Sequence, residues 1–498
     1  MIILDSIPPS GKAISESIVY FIVGLSYWNK TDPLVLVSYI VSMNMLLQLL
    51  AVLVSLSVTS PAFIPELYQG IGPVLFPDTL SSQCSGVDNV IPPFTGKPTF
   101  VKKVDNGALF KIQTNTSNLH IMHVFGTPYQ MGYAHGKLLT EEMKTILDQF
   151  DKHLVQEGEA ILPKIRSNWL KKAEDFLVNQ TIDELLDLTY DTTSVFFNKT
   201  APYWEQELQG ISDASGISIV MLRRMHMIPE LFKAKCSMVG GWGEAVKEKD
   251  ELYQLRALDW DTDGGLQRYP IVIVYHPNKD NGHDFSTLTW PGLIGAITGM
   301  SSAGLAISEI GADIPFGEES RIGYPFFFLL RDILQFDNKR EDALKRMKNS
   351  YRTCSIWVGV GDRNELAFNI TQYSYSTCNV LDDVTVAKVD PKRMIREGCA
   401  GDCITNYFAE NVAYWGIHLG CWQEEIAKNK KDINVESIIK MVGRVKTGNL
   451  HIAVYDHKQF KMYVANAKPD SAELVGSNNA YDQQFIQLDM PTLFKYRI

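Results

Sequence analysis

Cys236 follows Phe232, Lys233, Ala234 and Lys235, and the segment Arg256-Ala257-Leu258-Asp259-Trp260-Asp261 comes shortly after it. A hydrolase needs a nucleophile and a general base. The usual arrangements are missing: there is no G-x-S-x-G elbow, since the run from Gly299 to Gly304 has the wrong spacing, and no H-E-x-x-H or P-loop. The ten histidines form no ligand pair. A free α-amino group, with a pKa of about 7.7–8.0, is another base available near neutrality. A Ser, Thr or Cys exposed at a chain terminus by proteolysis therefore carries its own base. Cys236 fits that chemistry, with cleavage at Lys235–Cys236. Taken singly the residues are bland: a lone cysteine is more often structural, and Arg256 with Asp259 more often a surface ion pair. Strand alternation puts Arg256 and Asp259 on opposite faces, so they share a site only if the strand bends or ends between them.

The elements around Cys236 change character at that residue. Residues 129–227 read as largely helical, with Met143, Ile146, Leu147, Phe150 and Leu154 at mostly three- and four-residue steps, a stripe that core packing explains. Beyond Cys236, strands are expected at 253–258, 271–275, 304–308, 355–360, 366–373, 451–455 and 460–465. Asp362-Arg363-Asn364 and Asp456-His457-Lys458 would turn two pairs into hairpins. The layout is α+β, a helical first part leading into a mostly antiparallel second part. Residues 61–100, rich in Pro, Gly and Ser, are expected to wrap a surface.

A net charge of −10 argues against nucleic-acid binding, which needs basic patches. Residues 34–58 carry no charge and are long enough to cross a bilayer. They read as a signal anchor, with Lys12 and Lys30 on the cytoplasmic side, or as a signal peptide if the chain starts at Met43 or Met45. Either reading makes residues after 60 lumenal, in a lysosome or outside the cell. Glycosylation triplets begin at Asn115, Asn179, Asn198 and Asn369, and at Asn29 before the apolar segment. Seven cysteines (Cys84, Cys236, Cys354, Cys378, Cys399, Cys403 and Cys421) leave one thiol over or make an intermolecular bond, and their pairing is open. Cys399 and Cys403 have no second Cys/His cluster nearby that would suggest zinc.

Several motifs in order resemble the isopenicillin N acyltransferase-like group of self-cleaving cysteine hydrolases and acyltransferases, related to acid ceramidase, N-acylethanolamine amidase and the bile-salt hydrolases. The resemblance runs from about residue 120 to the C-terminus. Gly126-Thr127-Pro128-Tyr129-Gln130-Met131-Gly132-Tyr133-Ala134-His135-Gly136 is similar to the prosegment motif, where His135 packs or caps. Glu207-Leu208-Gln209-Gly210-Ile211 with Gly216 resembles the helix before the nucleophile. Cys236 matches the nucleophile, Arg256 and Asp259 the R-x-x-D pair, and Thr405-Asn406-Tyr407 a stretch whose Asn lines the oxyanion site. The run from Gly299 to Leu305 resembles "G-M-N-x-x-G-L", with Ser301 in place of the Asn, and Glu309 stands where many relatives have Asn.

The resemblance implies a four-layer αββα N-terminal-nucleophile fold, with a leader at 1–60, a prosegment at 61–235 and a catalytic part at 236–498. The two cleaved pieces would stay associated. It implies hydrolysis or acyl transfer on N-acyl amides, ceramide-like lipid amides among them, with no cofactor and no metal. Two other readings share the fold: a lumenal binding protein without activity, favoured by Ser301 and Glu309, and a phospholipase B-like lipid esterase.

Overall fold

Runs rich in Val, Ile, Leu, Phe and Tyr become strands on both sides of Cys236. The computed structural model describes residues 84–169, 181–232, 235–260, 264–312, 319–320, 322–382, 408–409, 411–469 and 478–498. In chain order the first elements are strands β1 (Thr99–Val104), β2 (Gly107–Gln113) and β3 (Asn118–Gly126). Helices α1 (Pro128–Trp169), α2 (Ile182–Phe197), α3 (Tyr203–Ser215) and α4 (Ile219–Leu231) follow. Then come β4 (Lys235–Trp242), β5 (Leu252–Asp259), β6 (Ile271–Pro277), β7 (Phe285–Thr289), β8 (Thr298–Ser301) and β9 (Leu305–Gly311). Helices α5 (Phe326–Phe336) and α6 (Arg340–Asn349) lead to β10 (Ile356–Asp362), β11 (Ala367–Tyr373), β12 (Cys378–Leu381), β13 (Phe408–Ala409) and β14 (Val412–Gly416). The chain ends with α7 (Leu419–Asn429), α8 (Val435–Val445), β15 (His451–Asp456), β16 (Lys461–Asn466), β17 (Ile486–Asp489) and α9 (Met490–Lys495).

The strands form two sheets. One runs β1-β2-β3-β6-β7-β8-β9-β10-β11-β12, the other β13-β14-β4-β5-β15-β16-β17. The sheets face each other, β9 lying against β4 and β5. Helices α1, α3 and α5 sit on the ten-stranded sheet's side, and α7 and α8 cover the other sheet. This is the αββα sandwich. All seven expected strands are present, and both expected hairpins form, β10 with β11 and β15 with β16.

The first part is not simply helical. Residues 99–126 form three strands of the ten-stranded sheet, and β3 pairs with β6 in parallel. A parallel pair needs a long crossover, which α1 to α4 and the β4–β5 hairpin supply. Of the 61–100 segment expected to wrap a surface, the part from Cys84 lies along the seven-stranded sheet's side, and residues 61–83 lie outside the described residues. Cys84 is disulfide-bonded to Cys421, Gly86 N–H bonds to the Arg444 carbonyl, and Phe94 bridges to Ile486. Of the glycosylation candidates, Asn115 and Asn198 are exposed, and Asn179 lies outside the described residues. Asn369 is 1% exposed in β11, its amide held by Arg340 and the Leu381 carbonyl, which leaves no room for a glycan in this fold. Among the described residues no helix is long and apolar enough to cross a membrane, and residues 34–58 lie outside them.

The motif from Gly126 to Gly136 builds a helix start and a close crossing. Thr127 Oγ1 accepts from Gln130 N–H, and Gln130 Oε1 accepts from Thr127 N–H, a reciprocal cap. A Cβ at Gly132 would stand 2.0 Å from the Glu207 carbonyl oxygen, and one at Gly210 2.3 Å from that of Tyr129. The two glycines thus let α1 and α3 touch backbone to backbone. Gly→Ala inside a helix ordinarily gains up to about 1 kcal/mol. At Gly132 we expect the sign to reverse, with a loss of about 1–3 kcal/mol in urea unfolding, because the added carbon overpacks the crossing; a stabilised Gly132→Ala protein would contradict this crossing.

Glu251, at the end of β5 away from Asp259, is 3% exposed. Burial, helped by the charge of Asp456, pushes its carboxyl from 4.5 to about 7. The folded chain therefore keeps a proton between about pH 4.5 and 7 that the unfolded chain has lost. Stability from this group is greatest below that window, falls as pH rises through it, and is flat above. Melting temperatures across pH 4.5–7.5 should show this fall in the wild type, and Glu251→Gln should flatten it.

Candidate active site

The site starts from strand pairing. In the β4–β5 ladder Lys235 faces Asp259, Cys236 faces Leu258 and Met238 faces Arg256. Cys236 and Arg256 therefore share the face turned to the other sheet. Asp259, one residue past Leu258, points to the opposite face. Asp259 is the last residue of β5, and its carboxylate turns toward the loop before β15.

Arg256 is fully buried and each of its polar arms is used. Nη2 donates to Cys236 Sγ and to Glu309 Oε2, both at 3.5 Å. Nε donates to the Glu309 carbonyl at 3.1 Å, and Nη1 to His451 Nε2 at 3.0 Å. Because Nε2 accepts, His451 is neutral. Burial and then Arg256 hold its pKa well below the ordinary imidazole value. Cys236 is 1% exposed, and burial pushes its thiol up to about 12. Arg256 and the backbone N–H of Asp259 oppose that rise, while the carboxylates of Glu309 and Asp259 add to it.

Asp259 is locked on the far side. Oδ1 accepts from Gly448 N–H at 2.8 Å and Asn449 N–H at 3.0 Å. Oδ2 accepts from Thr447 Oγ1 at 2.7 Å, and Thr447 Oγ1 also lies 2.7 Å from Ser237 Oγ. Thr447 has one hydroxyl proton. It gives that proton to the carboxylate and accepts from Ser237, so a chain runs from the residue after Cys236 to Asp259. Burial raises the Asp259 pKa, and these donors together with Arg256 pull it back.

The other sheet supplies the roof. The segment 290–297 is held from the helical layer: Gly292 N–H donates to His135 Nε2 and Ile294 N–H to His226 Nε2, both at 2.9 Å. Arg331 Nη1, paired with Glu207, donates to the Ile294 carbonyl at 2.7 Å. Burial pushes His135 down to about 3 and His226 down to about 4, which keeps both as acceptors. The segment carries Trp290 over the His451 ring at 5.3 Å and leads into Thr298, whose Oγ1 lies 3.3 Å from His451 Nε2.

Of the expected residues, the structure gathers Cys236, Arg256 and, at the strand end, Asp259. His135 caps a loop, as the motif reading held. Asn406 lies outside the described residues, as do Cys399 and Cys403. Ser301 ends β8 and accepts from Leu305 N–H across the β8–β9 turn, while Glu309 enters the site. Among the described residues no cluster of His, Cys, Asp or Glu is placed to hold a metal ion. His451, Thr447 and Ser237 carried no sequence motif; only the register of β15 on β5 could have pointed to His451.

No family model matches the chain. It is 35% identical over 423 residues to protein dcd1B of Dictyostelium discoideum, across 81% of this chain and 80% of that protein. It is 35% identical over 422 residues to protein dcd1A of the same organism, across 82% and 94%. The chain belongs to the dcd1 family. Among solved structures, a Caenorhabditis elegans N-acylethanolamine-hydrolyzing acid amidase ortholog aligns with this dcd1-family chain at a TM-score of 0.33 and 14% identity, over 50% of this chain and 98% of that one. The sandwich described above rests on the sheets of the dcd1-family chain itself.

The Thr447 hydroxyl is the testable hinge of this arrangement. Thr447→Val leaves a buried carboxylate and a serine hydroxyl short of a partner, so urea unfolding should show a loss of about 1–3 kcal/mol. Thr447→Ser keeps the hydroxyl and should recover most of it. Equal losses in the two variants would mean that the methyl group, not the bond, matters.

Proposed function

We propose that this protein is an amide hydrolase that cuts itself between Lys235 and Cys236 and then uses Cys236 as its nucleophile. The observation that carries the reading is the fully buried Arg256, whose Nη2 lies 3.5 Å from Cys236 Sγ at the start of β4. The order of motifs resembling the isopenicillin N acyltransferase-like group supports it.

In self-cleavage the Cys236 sulfur attacks the Lys235 carbonyl carbon. A C–S bond forms, the C–N bond breaks, and the thiol proton ends on the Cys236 nitrogen. Water then hydrolyses the thioester, leaving a carboxylate on Lys235 and a free thiol and amine on Cys236. A thiol pushed up to about 12 is neutral in the uncut chain, so its proton must leave as the bond forms. Once cut, the new α-amine takes the thiol proton, and Asp259 accepts a hydrogen bond from the resulting ammonium. Three donors already occupy Asp259, and a carboxylate has about four acceptor positions, so one remains. Arg256 stabilises the thiolate. Asn406, carried over from the resemblance, donates to the oxyanion, a contact of a kind worth about 2.7–4 kcal/mol. Substrates are N-acyl amides, ceramide-like lipid amides among them, and the acyl-enzyme is released by water or by an amine. Residues after 60 are lumenal on this reading, which the Cys84–Cys421 disulfide supports, since such bonds persist in oxidising compartments.

That disulfide joins the two sides of the cut. Purified wild type should therefore run as one band without reductant and as two with it. Cys236→Ala should stay one chain in both. Cys84→Ala should still be cut, and its pieces should separate without reductant. Wild type also should hydrolyse members of an N-acyl amide panel. A Cys236→Ala chain cut at the same bond would refute self-cleavage.

A further inference from the structure

Directly paired strand residues point to the same face of a sheet. In the seven-stranded sheet Cys236 faces Leu258, Leu258 faces His451, and His451 faces Asn466. These four form one row across β4, β5, β15 and β16, on the side where His451 meets Arg256 and Thr298. Strands lie about 4.8 Å apart, so Asn466 stands about 14 Å from Cys236 along the row.

Asn466 is 1% exposed, and among the described residues neither its Oδ1 nor its Nδ2 has a hydrogen-bond partner. Buried polar groups in folded proteins are nearly always bonded, and one left unbonded calls for a reason. Its neighbours on the same face of β16, Val464 and Met462, are apolar and packed in the core between the sheets. An apolar side chain would serve a core position better. The amide retains one acceptor and two donors, a set complementary to a group that both gives and takes a hydrogen bond.

We propose that Asn466 is a substrate-contacting residue that selects N-acyl amides carrying a hydroxyl or amide group about 14 Å from the scissile carbonyl. The inference rests on Cys236 being the amidase nucleophile. Leu258 and Trp290, the latter tilted against the His451 ring, give the apolar stretch of such a substrate its contacts. The bond to Asn466 forms with the bound substrate, and the amide's lack of a protein partner is the cost in stability of that selectivity.

The test uses full-length wild type, Asn466→Leu and Asn466→Ala. Each is given pairs of N-acyl amides that differ only by one distal hydroxyl. Wild type is expected to favour the hydroxylated member by about tenfold or more in kcat/KM, and both variants to fall below about twofold. Asn466→Leu should also melt higher than wild type, since it removes an unsatisfied buried amide. A wild type that is cut and hydrolyses both members alike overturns this role alone, as does a variant that keeps the preference. A wild type that is never cut and hydrolyses neither member overturns both the reaction and this role.

Discussion

A guanidinium with no exposure to water must find its partners inside the protein, and Arg256 finds them on four sides. Taking a charge out of water costs several kcal/mol unless an opposite charge and further acceptors compensate. The Glu309 carboxylate and carbonyl, the imidazole of His451 and the sulfur of Cys236 meet that demand. These partners come from β9, β15 and β4, and Arg256 from β5. One buried charge thus fixes the register of the two sheets against each other and sets the electrostatics of the thiol. Glu309 and Arg256 act on that thiol in opposite directions, beneath the larger effect of its burial.

A second buried pair, Glu207 with Arg331, plays the corresponding part in the helical layer. It fastens α3 to α5, and with His135 and His226 it holds the segment 290–297 through backbone groups. That segment places Trp290 and Thr298 against His451. The glycines at the α1–α3 crossing are therefore connected to the site: they let α1 lie where His135 can reach Gly292. The motif from Gly126 to Gly136 is thus a packing device that reaches the roof through His135.

The elements most legible in the sequence were strands rich in apolar, β-branched and aromatic residues and joined by turn residues, such as 366–373 and 451–455. Two of those that escaped notice, β4 and β8, break the pattern for physical reasons. β4 contains Gly240, where a Cβ would come 2.2 Å from the Phe368 ring, so close approach of the sheets removed the residue that would have marked the strand. β8 is short and includes Gly299, where a Cβ would meet the Ser286 carbonyl at 2.4 Å. At the site, Cys236, Arg256 and Asp259 were readable because their order resembles a known pattern, and alternation correctly separated Arg256 from Asp259. His451 was not readable, since it meets Arg256 from 195 residues away and only through strand pairing. Thr447 and Ser237 are ordinary hydroxyls whose meaning comes from one carboxylate.

The proposed chemistry depends on the protein itself breaking the bond between Lys235 and Cys236. Intact-mass measurement and N-terminal sequencing of the reduced wild-type protein, purified with protease inhibitors, test this most directly. Self-cleavage predicts a C-terminal piece that begins with Cys236 bearing a free α-amine. A single uncut chain, or a piece beginning at any other residue, would contradict it.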